Sequence, residues 1–111
     1  MPDDLDLLRG TLDLMILKAL TWGPAHGYAI TRHIGERTDD AILVDEGALY
    51  PALHRLAAQK LVTAEWGRSE NGRRARYYAL TPAGRRQLRA RERTWVRYAA
   101  ALDKLLNPSE G

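Results

Sequence analysis

The last third of this chain does most to constrain its fold. Thr81-Pro82 supplies a good N-cap and a proline at the first helical position. No further proline occurs until Pro108. A helix over 81–107 is about 40 Å long at about 1.5 Å per residue. The 111 residues make one domain. A body that small covers only part of such a rod. Leu88, Trp95 and Leu102 recur every seven residues, with Tyr98 and Leu105 three residues behind the last two. Together with Ala99 they form a partial heptad seam, broken by Arg91. The C-terminal half of this helix is expected to pack against its copy in a second chain.

The preceding residues read as shorter elements. Leu8, Leu12, Met15, Ile16 and Ala19 have helical spacing, and the first helix is expected over 11–21. Leu14 and Leu17 widen its apolar stripe, which is usual for a helix buried on two sides. Leu12, Met15 and Ile16 are expected to face the second subunit. Trp22-Gly23-Pro24 ends the helix, and residues 1–6 are expected to fray. A second helix over 26–37 has Tyr28, Ile30 and Ile34 as its apolar positions, and 41–44 reads as a short strand. A third helix carries Leu49, Leu53 and Leu56. Because proline is tolerated only near a helix start, Pro51 sets that start near Gly47. Residues 61–66 and 76–80 read as strands around Asn71-Gly72, a strong turn signal. Trp22 and Trp66 read as core edges.

The net charge of +3 conceals an asymmetry. Residues 1–67 carry six Lys/Arg against ten Asp/Glu, and residues 68–111 carry eleven against four. Ten of those eleven cations are arginine, the side chain suited to bidentate phosphate and guanine contacts. A basic half suits a polyanionic partner, although charge alone also fits a solvated helix face. Cysteine is absent, so disulfides and thiolate metal sites are excluded. His26 and His33 lack a third ligand at metal spacing. No phosphate-binding glycine loop, metalloprotease motif or serine with a spaced His and acid is present, so no enzyme activity and no cofactor are expected. The longest apolar stretch, Leu12 to Leu20, is too short to span a bilayer, and the N-terminus is acidic where a signal peptide is basic. A cytoplasmic protein without membrane contact is expected.

Three short helices, a basic hairpin and a long helix make a mainly α winged helix-turn-helix. Residues 1–80 are expected to form the DNA-binding domain and 81–107 the dimerisation helix. Tyr50, His54 and Arg55 lie off the leucine stripe of the third helix, where an exposed face fits the major groove. The same positions suit a solvated surface. The small Gly47 and Ala48, with Pro51 close behind, leave backbone amides open to a phosphate, or simply start a helix. Arg68, Arg73, Arg74 and Arg76 surround the hairpin tip and are read as phosphate contacts. Arg85 and Arg86 lie near enough to join them. A winged helix that binds a protein instead of specific DNA is the competing reading.

Four stretches carry a family resemblance. They are Leu12 to Leu20, Gly23-Pro24-Ala25-His26-Gly27-Tyr28, Glu46-Gly47-Ala48-Leu49-Tyr50-Pro51-Ala52-Leu53-His54-Arg55-Leu56, and Asn71 to Gly84 with Tyr78-Ala79-Leu80-Thr81 at its centre. On these the chain resembles the PadR family of bacterial transcriptional regulators, in its short-form branch, from Leu8 to Leu106. Family members often carry Ser or Thr near positions 45 and 48, where this chain has Asp45 and Ala48. The resemblance implies a homodimer built on the first and last helices, and binding to a near-palindromic operator, usually as a repressor. In some members it implies release by a small aromatic or cationic compound, with a residue such as Trp95 lining the site. Interface packing is the competing role for Trp95.

Overall fold

The computed structural model describes the backbone of residues 4–107 and the side chains of residues 10–107. Residues 1–3, Pro108 and the side chain of Leu8 lie outside the described residues. Helix α1 (Asp4–Ala19) runs into a 3-10 turn (Leu20–Trp22), followed by β1 (Ala25–His26) and α2 (Gly27–Arg37). Helix α3 (Glu46–Ala58), strands β2 (Val62–Arg68) and β3 (Arg74–Leu80), and helix α4 (Pro82–Leu106) complete the chain. Helix α1 therefore starts at Asp4, ahead of the expected start near Thr11, and residues 4–6 belong to it.

The core forms where the apolar faces of α1, α2 and α3 meet the base of the hairpin. Ile16, Leu17, Leu20, Ile30, Leu49, Leu53 and Leu56 are almost fully buried, and Ile34, Leu61, Val62, Tyr78 and Leu88 close the cluster. Burying each large side chain contributes about 1.5–3 kcal/mol, so this cluster dominates the fold. Ile16 and Leu88 belong to it. Neither is available to a second subunit, contrary to the expectation from the heptad and stripe patterns. A heptad seam and a core contact look alike where a long helix lies over its own domain. Leu12 and Met15 are only partly buried.

The sheet has three antiparallel strands in the order β1-β3-β2. Ala25 and His26 pair with Tyr78 and Tyr77. Two residues are too few to show alternation, and this strand is not evident in the sequence. Residues 41–44 form no strand. Asp39 and Asp40 take left-handed backbone angles of φ 52° and 61°, and the Ile42 amide is held by the Thr38 hydroxyl at 3.1 Å. Leu43 is left 75% exposed.

Caps place the helices. His26 Nδ1 accepts from the Ala29 amide at 3.1 Å and opens α2. Asp45 Oδ1 accepts from the Ala48 amide at 2.9 Å and opens α3. Helix α3 closes with Lys60 in the left-handed region (φ 62°). There Leu61 N–H bonds Leu56 C=O, and Lys60 N–H bonds Ala57 C=O, the paired pattern that satisfies a helix C-terminus. Thr81 then joins two elements: its hydroxyl accepts from the Gly84 amide at 2.9 Å and donates to the Lys60 carbonyl at 2.8 Å. Gly84 allows this approach, because a Cβ there would overlap the Leu61 carbonyl oxygen.

Candidate nucleic-acid interface

Gly47, Tyr50, Pro51 and His54 recur every three or four residues on the side of α3 away from the buried leucines, and all are exposed, as is Ala48. Tyr50 is held against the body by its tip. A Cβ on Gly27 would lie 2.7 Å from the Tyr50 hydroxyl, so the glycine at the start of α2 makes room for the phenol. Burial, and then the negative charge of Glu46 and the neighbouring Tyr78, push the Tyr50 phenol above the ordinary tyrosine range.

The start of α3 differs from the expected anion site. The Ala48 amide is already bonded to Asp45 Oδ1, and the Leu49 amide bonds the Asp45 carbonyl. Asp45 and Glu46 also set two carboxylates where an approaching phosphate would sit. An acidic cap therefore replaces the expected open amides. Arg55 departs as well. Its Nη2 donates to Asp13 Oδ1 at 2.8 Å and the side chain is mostly shielded. It points toward α1 and α4, away from the outward face of Tyr50 and His54.

The wing concentrates the cations. The β2–β3 register sets Trp66 opposite Arg76 and Arg68 opposite Arg74. Cross-strand partners and their i+2 neighbours share a face, so these four side chains point one way. The Arg74 guanidinium lies 4.4 Å from the Trp66 ring centroid and that of Arg76 lies at 5.2 Å. Trp66 is 55% exposed and is a platform for two arginines, not a core edge. Trp22 is likewise exposed, beside His33 and Arg37. Arg68 donates to the Gly72 carbonyl at 3.0 Å, bracing the tip. Gly72 has φ 75°, as the turn reading requires. Arg73 is exposed.

Between wing and helices runs an open groove of about 850 Å³, lined by residues that include His26, Tyr28, Arg32, Tyr50, Trp66, Arg73, Arg74 and Arg76. Tyr28 is exposed here, although its position in α2 suggested core. The structure thus brings Tyr50, Arg73, Arg74 and Arg76 to one groove, while Gly47, Ala48, Pro51, His54, Arg55 and Arg68 do not line it. Working out the hairpin register would have put Trp66 beside Arg76. The role of Tyr28 depends on how α2 docks, and no local pattern reveals it.

Helix α4 carries a second surface. Trp95, Val96, Tyr98, Leu102, Leu105 and Leu106 are all exposed, and Ala99 is partly so. The Trp95 and Tyr98 rings lie 6.1 Å apart. Among the described residues, no group of His, Cys, Asp and Glu could hold a metal ion, and no helix is long and apolar enough to cross a membrane.

Three helices with an exposed face on the third, a basic two-stranded wing and a long trailing helix define a winged helix-turn-helix protein. Residues 16–90 match the PadR-like transcriptional regulator family. The chain belongs to the PadR-like family, a family of transcriptional regulators and not of enzymes. It is 38% identical over 80 residues to a transcriptional regulator of Mycobacterium tuberculosis, covering 72% of this chain and 71% of that protein. Among solved structures, a PadR-family transcriptional regulator from Eggerthella lenta is similar at a TM-score of 0.74 and 34% identity, over 95% of this chain and 89% of that one. A transcriptional regulator from Clostridium thermocellum is similar at a TM-score of 0.79 and 29% identity, over 94% and 97% of the two chains.

Proposed function

We propose that this regulator binds double-stranded DNA as a homodimer, at a near-palindromic operator, and acts as a repressor. Tyr50, Pro51 and His54 enter the major groove. Arg68, Arg73, Arg74 and Arg76 neutralise backbone phosphates on either side of the groove beside the wing. The observation that carries the reading is the exposed arginine pair stacked on Trp66, beside the exposed face of α3. Guanidiniums presented together, with no carboxylate ion-paired to them among the described residues, suit a polyanion. Gly47 flanks the contact, while Arg55 and the Ala48 amide are left out because both are bonded within the chain.

The homodimer reading rests on α4. Its row of apolar side chains, from Trp95 to Leu106, is uncovered in the single chain. A second copy meets the same row by symmetry and removes it from water. Leu12, Met15, Trp95, Tyr98, Ala99, Leu102 and Leu105 form the proposed interface. Trp95, exposed beside Tyr98, offers a ring face between the two copies on which a planar aromatic or cationic effector stacks, and its binding releases the operator.

The test is binding of the purified protein to fragments of its own upstream region across a salt series, with sedimentation to count chains. Selective binding with a steep salt slope and two chains per site supports the reading. Binding without selectivity or salt slope refutes it and favours a protein partner.

A further inference from the structure

Asp13 is the one buried charged residue among those described, at 8% exposure. It sits on α1, and its two carboxylate oxygens serve two other helices. Oδ1 accepts from Arg55 Nη2 of α3 at 2.8 Å, and Oδ2 faces Arg91 Nη1 of α4 at 3.7 Å. Both arginine side chains are about two-thirds shielded, with 33% and 32% exposed. The remaining contacts among these helices are mostly leucine, isoleucine and alanine, with one solvent-exposed ion pair, Lys18 Nζ to Glu92 Oε2 at 3.2 Å, between α1 and α4. Apolar burial is non-directional, so such contacts set which face of each helix is buried but fix its fine rotation less sharply than a directional bond does. The charge-assisted hydrogen bond from Arg55 to Asp13 is short and directional and sharpens that setting, and the longer Arg91–Asp13 ion pair adds attraction from α4.

The partners sit at informative places. Arg55 is the residue after His54 on the same rigid helix, so holding Arg55 holds the azimuth of the Tyr50–His54 face. Arg91 lies one turn before Trp95 on α4, where the proposed interface begins. The same arginine breaks the heptad pattern, and its ion pair with Asp13 explains why a cation stands there.

We infer that Asp13 is a positioning residue. It sets the rotation of α3 on the α1–α4 pair, and its Arg91 arm ties that rotation to the orientation of α4. The inference rests on the DNA-binding reading above. Without the carboxylate, two guanidiniums face each other with no anion between them, and Arg55 turns away from α1.

The test uses the duplex that the wild-type chain selects from a random library, against a scrambled duplex of the same composition. Asp13→Asn preserves shape and removes the charge, and Arg91→Gln removes the second arm far from the reading face. Both are expected to lower the selected-to-scrambled affinity ratio: Asp13→Asn by about tenfold, the scale of one hydrogen bond to a charged group, and Arg91→Gln by less, because its ion pair with Asp13 at 3.7 Å is longer than a hydrogen bond. Scrambled binding at low salt stays within about twofold, because neither residue meets a phosphate. The double variant is no worse than Asp13→Asn alone, since both changes break one link. Thermal melts fix a temperature at which every variant is folded. A lowered melting temperature with an unchanged ratio would mean that the triad only stabilises the fold, and would overturn the inference.

A second readout needs no DNA. The backbone amide NMR signals of residues 47–54 in the free protein shift in both variants, apart from Pro51, which has no amide proton. Unshifted signals overturn the inference. Failure of the wild type to discriminate between the duplexes, with shifted amides, sinks the DNA reading alone.

Discussion

Replacing Arg74 and Arg76 together by alanine removes two cations from one face of the wing. Each phosphate neutralised contributes about 0.9 to the slope of log affinity against log salt. Two lost contacts flatten that slope by about 1.8 per chain. Between about 50 and 200 mM salt, wild-type affinity therefore falls about tenfold further per chain than that of the double variant. Trp66→Ala acts on the same arginines and leaves their charge in place. Two exposed cation–π stacks at about 0.5–1 kcal/mol each hold them, so loss of the ring weakens binding by about 1–2 kcal/mol per chain with no change of slope. Fluorescence anisotropy of a labelled operator duplex across a salt series measures both quantities. A wild-type slope in the arginine variant would show that the wing does not meet phosphate. A slope that flattens in Trp66→Ala as it does in the arginine variant would refute the platform.

Gly84→Ala drives a Cβ into the Leu61 carbonyl and is expected to cost about 1–3 kcal/mol or more, read as a fall of about 10 °C in melting temperature; an unchanged melt denies that contact. Thr81→Ala loses both the α4 cap and the bond to Lys60, about 1–2 kcal/mol by denaturant titration, and Thr81→Ser recovers most of it. Leu102→Glu with Leu105→Glu alters two exposed positions, so sedimentation should report folded monomers; a persistent dimer would place the interface elsewhere. Because its folded-state pKa is raised, Tyr50 contributes stability that is present below its ordinary pKa of 10.0 and is lost as pH rises through the higher folded value. The denaturation midpoint of Tyr50→Phe should fall less above pH 10.0 than that of the wild type, and equal losses would remove Tyr50 as the cause.

Elements with their own local signals were legible in the sequence. Thr81-Pro82 opens α4 as expected, Asn71-Gly72 turns the hairpin, and the Leu49/Leu53/Leu56 stripe is the buried side of α3. What failed depended on neighbours that no window contains. Ile16 and Leu88 face the chain's own core because α4 crosses α1 before it leaves the body. Arg55 lies beside the exposed Tyr50–His54 face in sequence, but a carboxylate 42 residues earlier draws it inward. Trp66 looked apolar enough for the core until the register set two guanidiniums over it. The 41–44 run has strand composition but pairs with no strand of the sheet, and its backbone turns back onto the Thr38 hydroxyl instead.

The molecule measures 58 Å along its longest axis and 28 Å across, and α4 spans 25 residues, about 37 Å at about 1.5 Å per residue. In the proposed dimer it is a stiff lever with the proposed reading face at its base, and two such levers joined near their tips would hold those heads at a separation fixed by one crossing angle. Over that arm, a change of about 5° in tilt moves a head by about 3 Å, close to the 3.4 Å step between base pairs. Operator recognition by helix-turn-helix dimers uses half-sites one helical turn, or a multiple of it, apart. A molecule wedged between the levers need not touch the reading heads to put them out of step with the DNA.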